Sequence, residues 1–109
     1  MRFAVLGSGS QGNGTLVSSE DTHVLVDCGF SLRETERRLA RLGLSAAQLS
    51  AVLVTHEHAD HVHGVELLAR RHGVPVYMSQ GTERGLRKPV PVRSHVRCGD
   101  VLDVGALRI

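Results

Sequence analysis

Three imidazoles and one carboxylate lie within six consecutive residues near the middle of the chain. These four candidate metal donors are His56, His58, Asp60 and His61. Neutral imidazole nitrogens and carboxylate oxygens are ligands that zinc, manganese and iron accept. Loop composition alone does not produce this spacing, so we interpret the segment as a metal site rather than as a cluster of solvated histidines. We call residues 56–61 the donor run.

The spacing of the donors predicts two neighbouring metals. His56 and His58 are two residues apart, so in extended backbone they project to the same side and can share one metal. Asp60 and His61 follow where the chain turns, and they can face a second metal. Two ions about 3.5–4 Å apart generate a hydroxide nucleophile and polarise the oxygen of the group under attack. Four donors do not complete two such sites, so further ligands are expected beyond Ile109.

The elements on either side place the donor run at the edge of a sheet. The apolar stretch 51–54 predicts a strand directly before it, and a helical pattern over 62–72 follows it. Open α/β sheets carry their sites at such strand-to-helix turns. Asp27 ends another apolar strand, 23–26. Its carboxylate is interpreted either as a support for a ligand histidine from behind or as an ordinary turn residue.

The rest of the chain predicts alternating strands and helices. A Ser31-x-x-Glu34 capping box opens an arginine-rich helix, whose arginines form either a solvated face or a phosphate contact. The glycine- and serine-rich loop 7–14 forms either a tight turn between strands or an anion cradle, and it lacks the lysine of a nucleotide-binding loop. The predicted elements are strands at 3–6, 15–18, 23–26, 74–78 and twice within 99–109, helices at 32–42 and 80–87, and a helical turn at 45–48.

The other histidines have structural interpretations. His63 is expected to turn away from the metals on the following helix, and His72 to stabilise the C-terminus of that helix. His23 and His95 lie in strand-like stretches and are interpreted as surface or core residues.

Composition bounds the class of protein. The chain has 109 residues, 41% apolar and 22% charged, with a net charge of +2, which is typical of one small globular domain. No signal peptide or membrane span is evident, and Cys28 and Cys98 form no metal or disulfide pattern, so we expect a cytoplasmic protein with reduced thiols. The chain stops within an apolar and polar alternation, which predicts that residues 1–109 are the N-terminal part of a longer, truncated domain. A natural short edge strand is the alternative.

The donor run, Asp27 and the order of elements together resemble the metallo-β-lactamase fold superfamily. Three segments, 7–13, 25–29 and 53–64, further resemble its WalJ/YycJ branch of bacterial cytoplasmic hydrolases associated with nuclease activity on DNA. The resemblance implies an α/β fold, the N-terminal half of an αββα four-layer sandwich with a mixed sheet and flanking helices. It also implies that Asp27 supports the metal ligands from behind.

The resemblance implies the metal ligands and the reaction. His56 and His58 would bind the first metal, and Asp60 and His61 the second, with zinc expected and manganese or iron as alternatives. The expected activity is a DNA phosphodiesterase or exonuclease, in which a metal-bridging hydroxide attacks phosphorus and Asp60 positions and deprotonates it. A glyoxalase-II-like or lactonase-like hydrolase of thioesters or esters is one alternative, and a catalytically inactive metal-binding fragment is another.

The chain also departs from the family pattern. The third histidine, the bridging aspartate and the final histidine of the superfamily have no counterpart in it. The missing C-terminal half, or a second copy in a homo-oligomer, would have to complete the site. Nucleic acid is the expected partner, and binding to a membrane is not expected.

Overall fold

A computed structural model gives the fold and describes residues 2–8, 12–55, 62–86, 90–97 and 103–108. The donor run and Cys98 lie outside these ranges. The described strands are β1 (Arg2–Gly7), β2 (Gly14–Ser19), β3 (Thr22–Val26), β4 (Ala51–Leu53), β5 (Val76–Met78), β6 (Ser94–His95), β7 (Asp103–Val104) and β8 (Leu107–Arg108). The described helices are α1 (Leu32–Ala40), α2 (Val65–His72) and α3 (Gln80–Arg84), together with one 3₁₀ turn (Ala46–Gln48).

The described strands β1 to β6 form one mixed sheet in sequence order. The pairs β1–β2 and β2–β3 are antiparallel, whereas β3, β4, β5 and β6 run parallel to one another. Two reversals leave β1 parallel to β3. The carboxyl ends of β1 and of β3 to β6 therefore lie along one edge of the sheet, which we call the carboxyl edge.

Each face of the sheet is covered by a different layer. Helices α1 and α2 and the 3₁₀ turn pack on one face in the larger core cluster, which includes Leu25, Leu39 and Leu68. On the other face, Val24 and neighbouring strand residues pack against the hairpin of β7 and β8. Helix layer, mixed sheet and hairpin together confirm the predicted fold class, an α/β sheet with flanking helices.

Local sequence signals account for most element boundaries. The Ser31 hydroxyl accepts a hydrogen bond from the Glu34 amide at 3.2 Å, as the capping box predicts, and α1 ends two residues earlier than expected. The predicted hairpin of β2 and β3 is confirmed. The predicted turn at 45–48 is also confirmed, since the Gln48 side chain accepts from the Ser45 amide at 2.8 Å.

Four further predicted elements are longer than the observed ones. The strand predicted over 51–54 ends at Leu53. The helix predicted over 62–72 is observed as α2 from Val65. Gly64 lies outside this helix because its amide donates to the carbonyl of Cys28. The strand predicted over 74–78 begins at Val76, since Pro75 has no N–H to donate to a neighbouring strand. The helix predicted over 80–87 ends at Arg84, and Gly85 caps it. No helix within the described ranges is both long enough and apolar enough to cross a membrane.

Neighbouring leucines on α2 provide a test of the core. Leu68 is fully buried in the larger cluster, whereas Leu67 beside it is 39% exposed. We expect Leu68→Ala to lower the free energy of unfolding by about 2–5 kcal/mol through lost burial and a cavity. The matched variant Leu67→Ala should cost below about 1 kcal/mol. Urea denaturation of both variants checks this, and equal losses would contradict the packing of α2.

Candidate metal centre

Asp27 lies at the carboxyl end of β3 and ties this strand to the residue that precedes the donor run. Its two carboxylate oxygens accept hydrogen bonds from Thr55, Oδ1 from the amide at 2.7 Å and Oδ2 from the hydroxyl at 2.6 Å. The Asp27 amide donates to the carbonyl of Leu53 at 2.8 Å. Asp27 has a positive φ of 64° and is buried. Aspartate and asparagine tolerate this backbone conformation better than most residues.

The next residue, Cys28, fixes the position of Gly64, which follows the donor run in the sequence. The Gly64 amide donates to the Cys28 carbonyl at 3.0 Å. A Cβ atom at position 64 would clash with the carbonyl oxygen of Phe30 and approach the Cys28 sulfur at 3.1 Å. Glycine is therefore required at this position because two backbone segments pass in close contact.

These two ties bring the ends of the intervening segment together. Asp27 and Cys28 are adjacent, so their Cα atoms are about 3.8 Å apart. The eight residues 56–63 could span about 26–29 Å if extended, yet they leave from Thr55 and return to Gly64 beside the same dipeptide. The described frame thus holds Thr55 and Gly64, which flank residues 56–63, at the carboxyl edge.

The predicted ligands His56, His58, Asp60 and His61 lie outside the described residues, so their metal-binding role stays a prediction. Across the ranges that the structure describes, no other group of three or more histidine, cysteine, aspartate or glutamate side chains could hold a metal. The donor set suits zinc by its chemistry, with three imidazoles and one carboxylate. The support of a ligand histidine by Asp27 also stays a prediction, whereas its hold on Thr55 is an observed contact that sequence reasoning missed.

Cys28 is a free, buried thiol, as expected, and it packs behind the site. Burial raises the pKa of the Cys28 thiol, and hydrogen bonding with Thr35 opposes this shift only in part. The sulfur lies 3.1 Å from the Thr35 hydroxyl, which itself donates to the Ser31 carbonyl. The thiol therefore stays protonated at neutral pH and acts as a packing residue rather than as a nucleophile.

The glycines of the loop after β1 are explained by the buried ring of Phe30. A Cβ atom at Gly7 would lie 2.6 Å from this ring, and one at Gly12 would lie 2.7 Å from it. Gly12 also has a φ of 153°, which L residues rarely adopt. Close packing on Phe30 therefore explains the described glycines, and the two interpretations of the loop, a tight turn or an anion cradle, stay predictions.

A cavity of about 390 Å³ lies between this loop and the first turns of α1. Its polar lining includes Ser8, Ser31, Glu34, Arg38 and His63. We call it the α1 cavity. His63 is exposed, lies in the turn before α2 and lines this cavity, a position that its sequence pattern did not predict. Whether His63 also turns away from the metals stays a prediction.

The remaining described histidines lie at a helix end, in the core and on the surface, and their structural roles stay predictions. His72 ends α2 and lies 3.6 Å from the Glu36 carboxylate. His23 is buried, with its Nδ1 atom 2.7 Å from the Ser18 hydroxyl. His95 is exposed, and its Nε2 atom lies 2.5 Å from the Glu83 carboxylate.

Comparison with known proteins identifies the family. The profile of the Metallo-beta-lactamase superfamily matches residues 7–102, so the chain belongs to this superfamily. Among solved structures, MEM-A1, a subclass B3 metallo-beta-lactamase from a soil metagenome library, superposes with a TM-score of 0.77 at 27% identity. This superposition covers 97% of the present chain and 47% of MEM-A1. The fold predicted by resemblance is thereby confirmed.

Two curated relatives are named as DNA exonucleases. Exodeoxyribonuclease YycJ of Bacillus anthracis is 34% identical over 114 residues, which cover 100% of the chain and 43% of YycJ. Exodeoxyribonuclease WalJ of Streptococcus pneumoniae serotype 2 (strain D39 / NCTC 7466) is 38% identical over 81 residues, which cover 74% of the chain and 30% of WalJ. The resemblance to this branch is confirmed, and the chain spans less than half the length of either relative.

The Asp27–Thr55 contact provides a test of the frame. Asp27→Asn preserves the tolerance for positive φ but replaces one acceptor oxygen by an amide donor facing Thr55. We expect a loss of about 1–3 kcal/mol in the free energy of unfolding. Zinc affinity should weaken by about 10–100-fold, as is typical when partners behind the ligands are removed.

Urea denaturation and zinc titration calorimetry measure both quantities. Asp21→Asn is the matched control, because it makes the same chemical change at an exposed position of the β2–β3 turn. If the two variants had the same stability and the same zinc affinity, Asp27 would have no part in the frame.

Proposed function

We propose that the protein containing this chain is a metal-dependent phosphodiesterase that degrades DNA from strand ends. The observation that carries the proposal is the pair of hydrogen bonds that fix Thr55 to Asp27 and Gly64 to Cys28. They hold both ends of a segment with four metal donors at the carboxyl edge, where α/β sheets carry their sites. The nuclease names of the YycJ and WalJ relatives support DNA as the substrate.

The ligand assignment follows from the family pattern. His56 and His58 would hold one divalent ion, and Asp60 and His61 a second. Zinc is the ion that we propose, with manganese or iron as alternatives. When bound, such ions lower the pKa of coordinated water and neutralise charge on the phosphoryl oxygens. Since the chain covers less than half of its relatives, we propose that the remaining ligands come from sequence outside it.

The chain's own residues would then have distinct tasks. Asp60 would orient the attacking water and accept its proton. Asp27 would act on the frame, since its carboxylate accepts two hydrogen bonds from Thr55. It would fix the start of the donor run, so that the ligands are oriented before a metal binds. We propose that the reaction takes place in the cytoplasm.

A histidine substitution in the full-length protein tests the proposal. His58→Ala should lower the rate of DNA degradation at least about 100-fold, since losing a ligand should cost more than the 10–100-fold typical of partners behind it. The matched control is His72→Ala, because this histidine lies at the far end of α2 and pairs with Glu36. The control should retain the wild-type rate within about twofold.

Two outcomes would contradict the proposal. Undiminished DNA degradation by His58→Ala would remove the donor run from the reaction. Efficient hydrolysis of a thioester or lactone by a preparation that leaves DNA intact would assign the protein to another hydrolase class. Zinc titration of the same preparation separates an inactive fragment, with one weakly held ion, from an intact centre with two tightly held ions.

A further inference from the structure

The α1 cavity lies at the carboxyl edge, where Thr55 and Gly64 flank the segment that contains the donor run. It opens at the carboxyl end of β1, on the same edge of the sheet as the ends of β3 and β4. His63, two residues after the donor run, lines one side of it. A ligand in this cavity would therefore be a neighbour of any group bound at the metals.

The most constrained polar group in the cavity is the guanidinium of Arg38. Its Nε atom donates to the Glu34 carboxylate at 2.9 Å, and one terminal nitrogen donates to the carbonyl of Leu6. The guanidinium carbon lies 4.2 Å above the centre of the Phe30 ring. Arg38 is thus fixed in orientation before a ligand arrives. An arginine has five N–H donors, so these contacts leave up to three for a ligand.

The local charge favours an anion. Glu34 is shared between Arg38 and Arg37, whose terminal nitrogen lies 3.3 Å from the same carboxylate oxygen. Two guanidiniums and one carboxylate leave a charge of +1. The hydroxyls of Ser8 and Ser31 add donors to the lining. A fixed, partly exposed guanidinium beside hydroxyl groups is a suitable site for a phosphate.

The size of the cavity limits the ligand. Its volume of about 390 Å³ is at the lower end of the range of about 300–1,000 Å³ found for small-molecule sites. One nucleotide unit suits such a volume, whereas a duplex does not.

We infer that the α1 cavity binds the phosphate of a single nucleotide unit next to the metal-bound part of the strand, with Arg38 as its principal contact. This inference rests on the proposed nuclease function. It adds a subsite that holds the substrate, and Arg38 acts there in binding rather than in bond cleavage. The competing explanation is that Arg38 only joins α1 to β1.

A binding experiment on the full-length protein that contains this chain, with a chelator and without added metal, tests the inference. Thymidine 5′-monophosphate, its 3′ isomer, thymidine and inorganic phosphate are titrated separately and followed by amide chemical shifts in NMR. At least one monophosphate should shift the amides of Ser8, Gly12 and Ser31. Thymidine should not bind, and inorganic phosphate should bind at the same residues more weakly.

Two neighbouring arginines supply the matched variants. Arg38→Gln should weaken monophosphate binding by about tenfold or more, because charged hydrogen bonds are lost. Arg37→Gln removes the same charge from the same helix, but Arg37 is outside the cavity lining and contributes only its more distant charge, so the affinity should fall clearly less than in Arg38→Gln. If Arg38→Gln does not fold, Arg38→Lys retains the charge without the fork of donors and should still weaken binding.

Several results would overturn the inference. One is that neither monophosphate binds, and another is that the amide chemical shifts change only on other surfaces. The inference would also be wrong if the Arg37 and Arg38 variants lost the same affinity, or if thymidine bound as tightly as a monophosphate. Inorganic phosphate binding as tightly as the nucleotides would also overturn the nucleotide assignment. Because the titration involves neither metal nor catalysis, it can fail while the proposed nuclease function stands, and the converse also holds.

Discussion

The site depends on one dipeptide, Asp27–Cys28, which is hydrogen-bonded to Thr55 before the donor run and to Gly64 after it. The carboxylate of Asp27 binds Thr55 through two hydrogen bonds, and the Cys28 carbonyl accepts from Gly64. Charged hydrogen bonds in a buried position are stronger than those on the surface, and leaving one of these groups unpaired is costly. Because these hydrogen bonds fix Thr55 and Gly64, part of the entropic cost of bringing the two flanks together falls on folding rather than on metal binding.

The sheet topology explains why these groups meet. The parallel register of β3 and β4 places Asp27 and Thr55 at neighbouring strand ends, and β1 brings its loop to the same edge. The core clusters on the two faces of the sheet fix this register, since a slip of one residue would turn buried side chains such as Leu25 and Val24 to the wrong face. The packing of the sheet thus supports the geometry of the site.

Much of this arrangement could be predicted from the sequence, because local patterns encode it. Alternating apolar residues and capping boxes predicted the hairpin, α1 and a strand over 51–54, which is observed as Ala51–Leu53. The location of the metal site, which the dense donor spacing indicates, stays a prediction. Contacts between distant parts of the chain were not predictable. The bonds from Asp27 to Thr55, the packing of the loop glycines on Phe30 and the place of His63 in the α1 cavity depend on how separate elements meet. The spacing of residues along the chain does not show which distant elements come into contact.

The most direct test of the central claim is a zinc-edge anomalous diffraction map of the zinc-loaded protein. The account predicts zinc between Thr55 and Gly64, with His56, His58, Asp60 or His61 at about 2.0–2.2 Å from the metal. Asp27 should still bind Thr55 in that map. Zinc held instead by isolated histidines such as His72 or His95, with nothing bound beside the Asp27–Cys28 dipeptide, would contradict it.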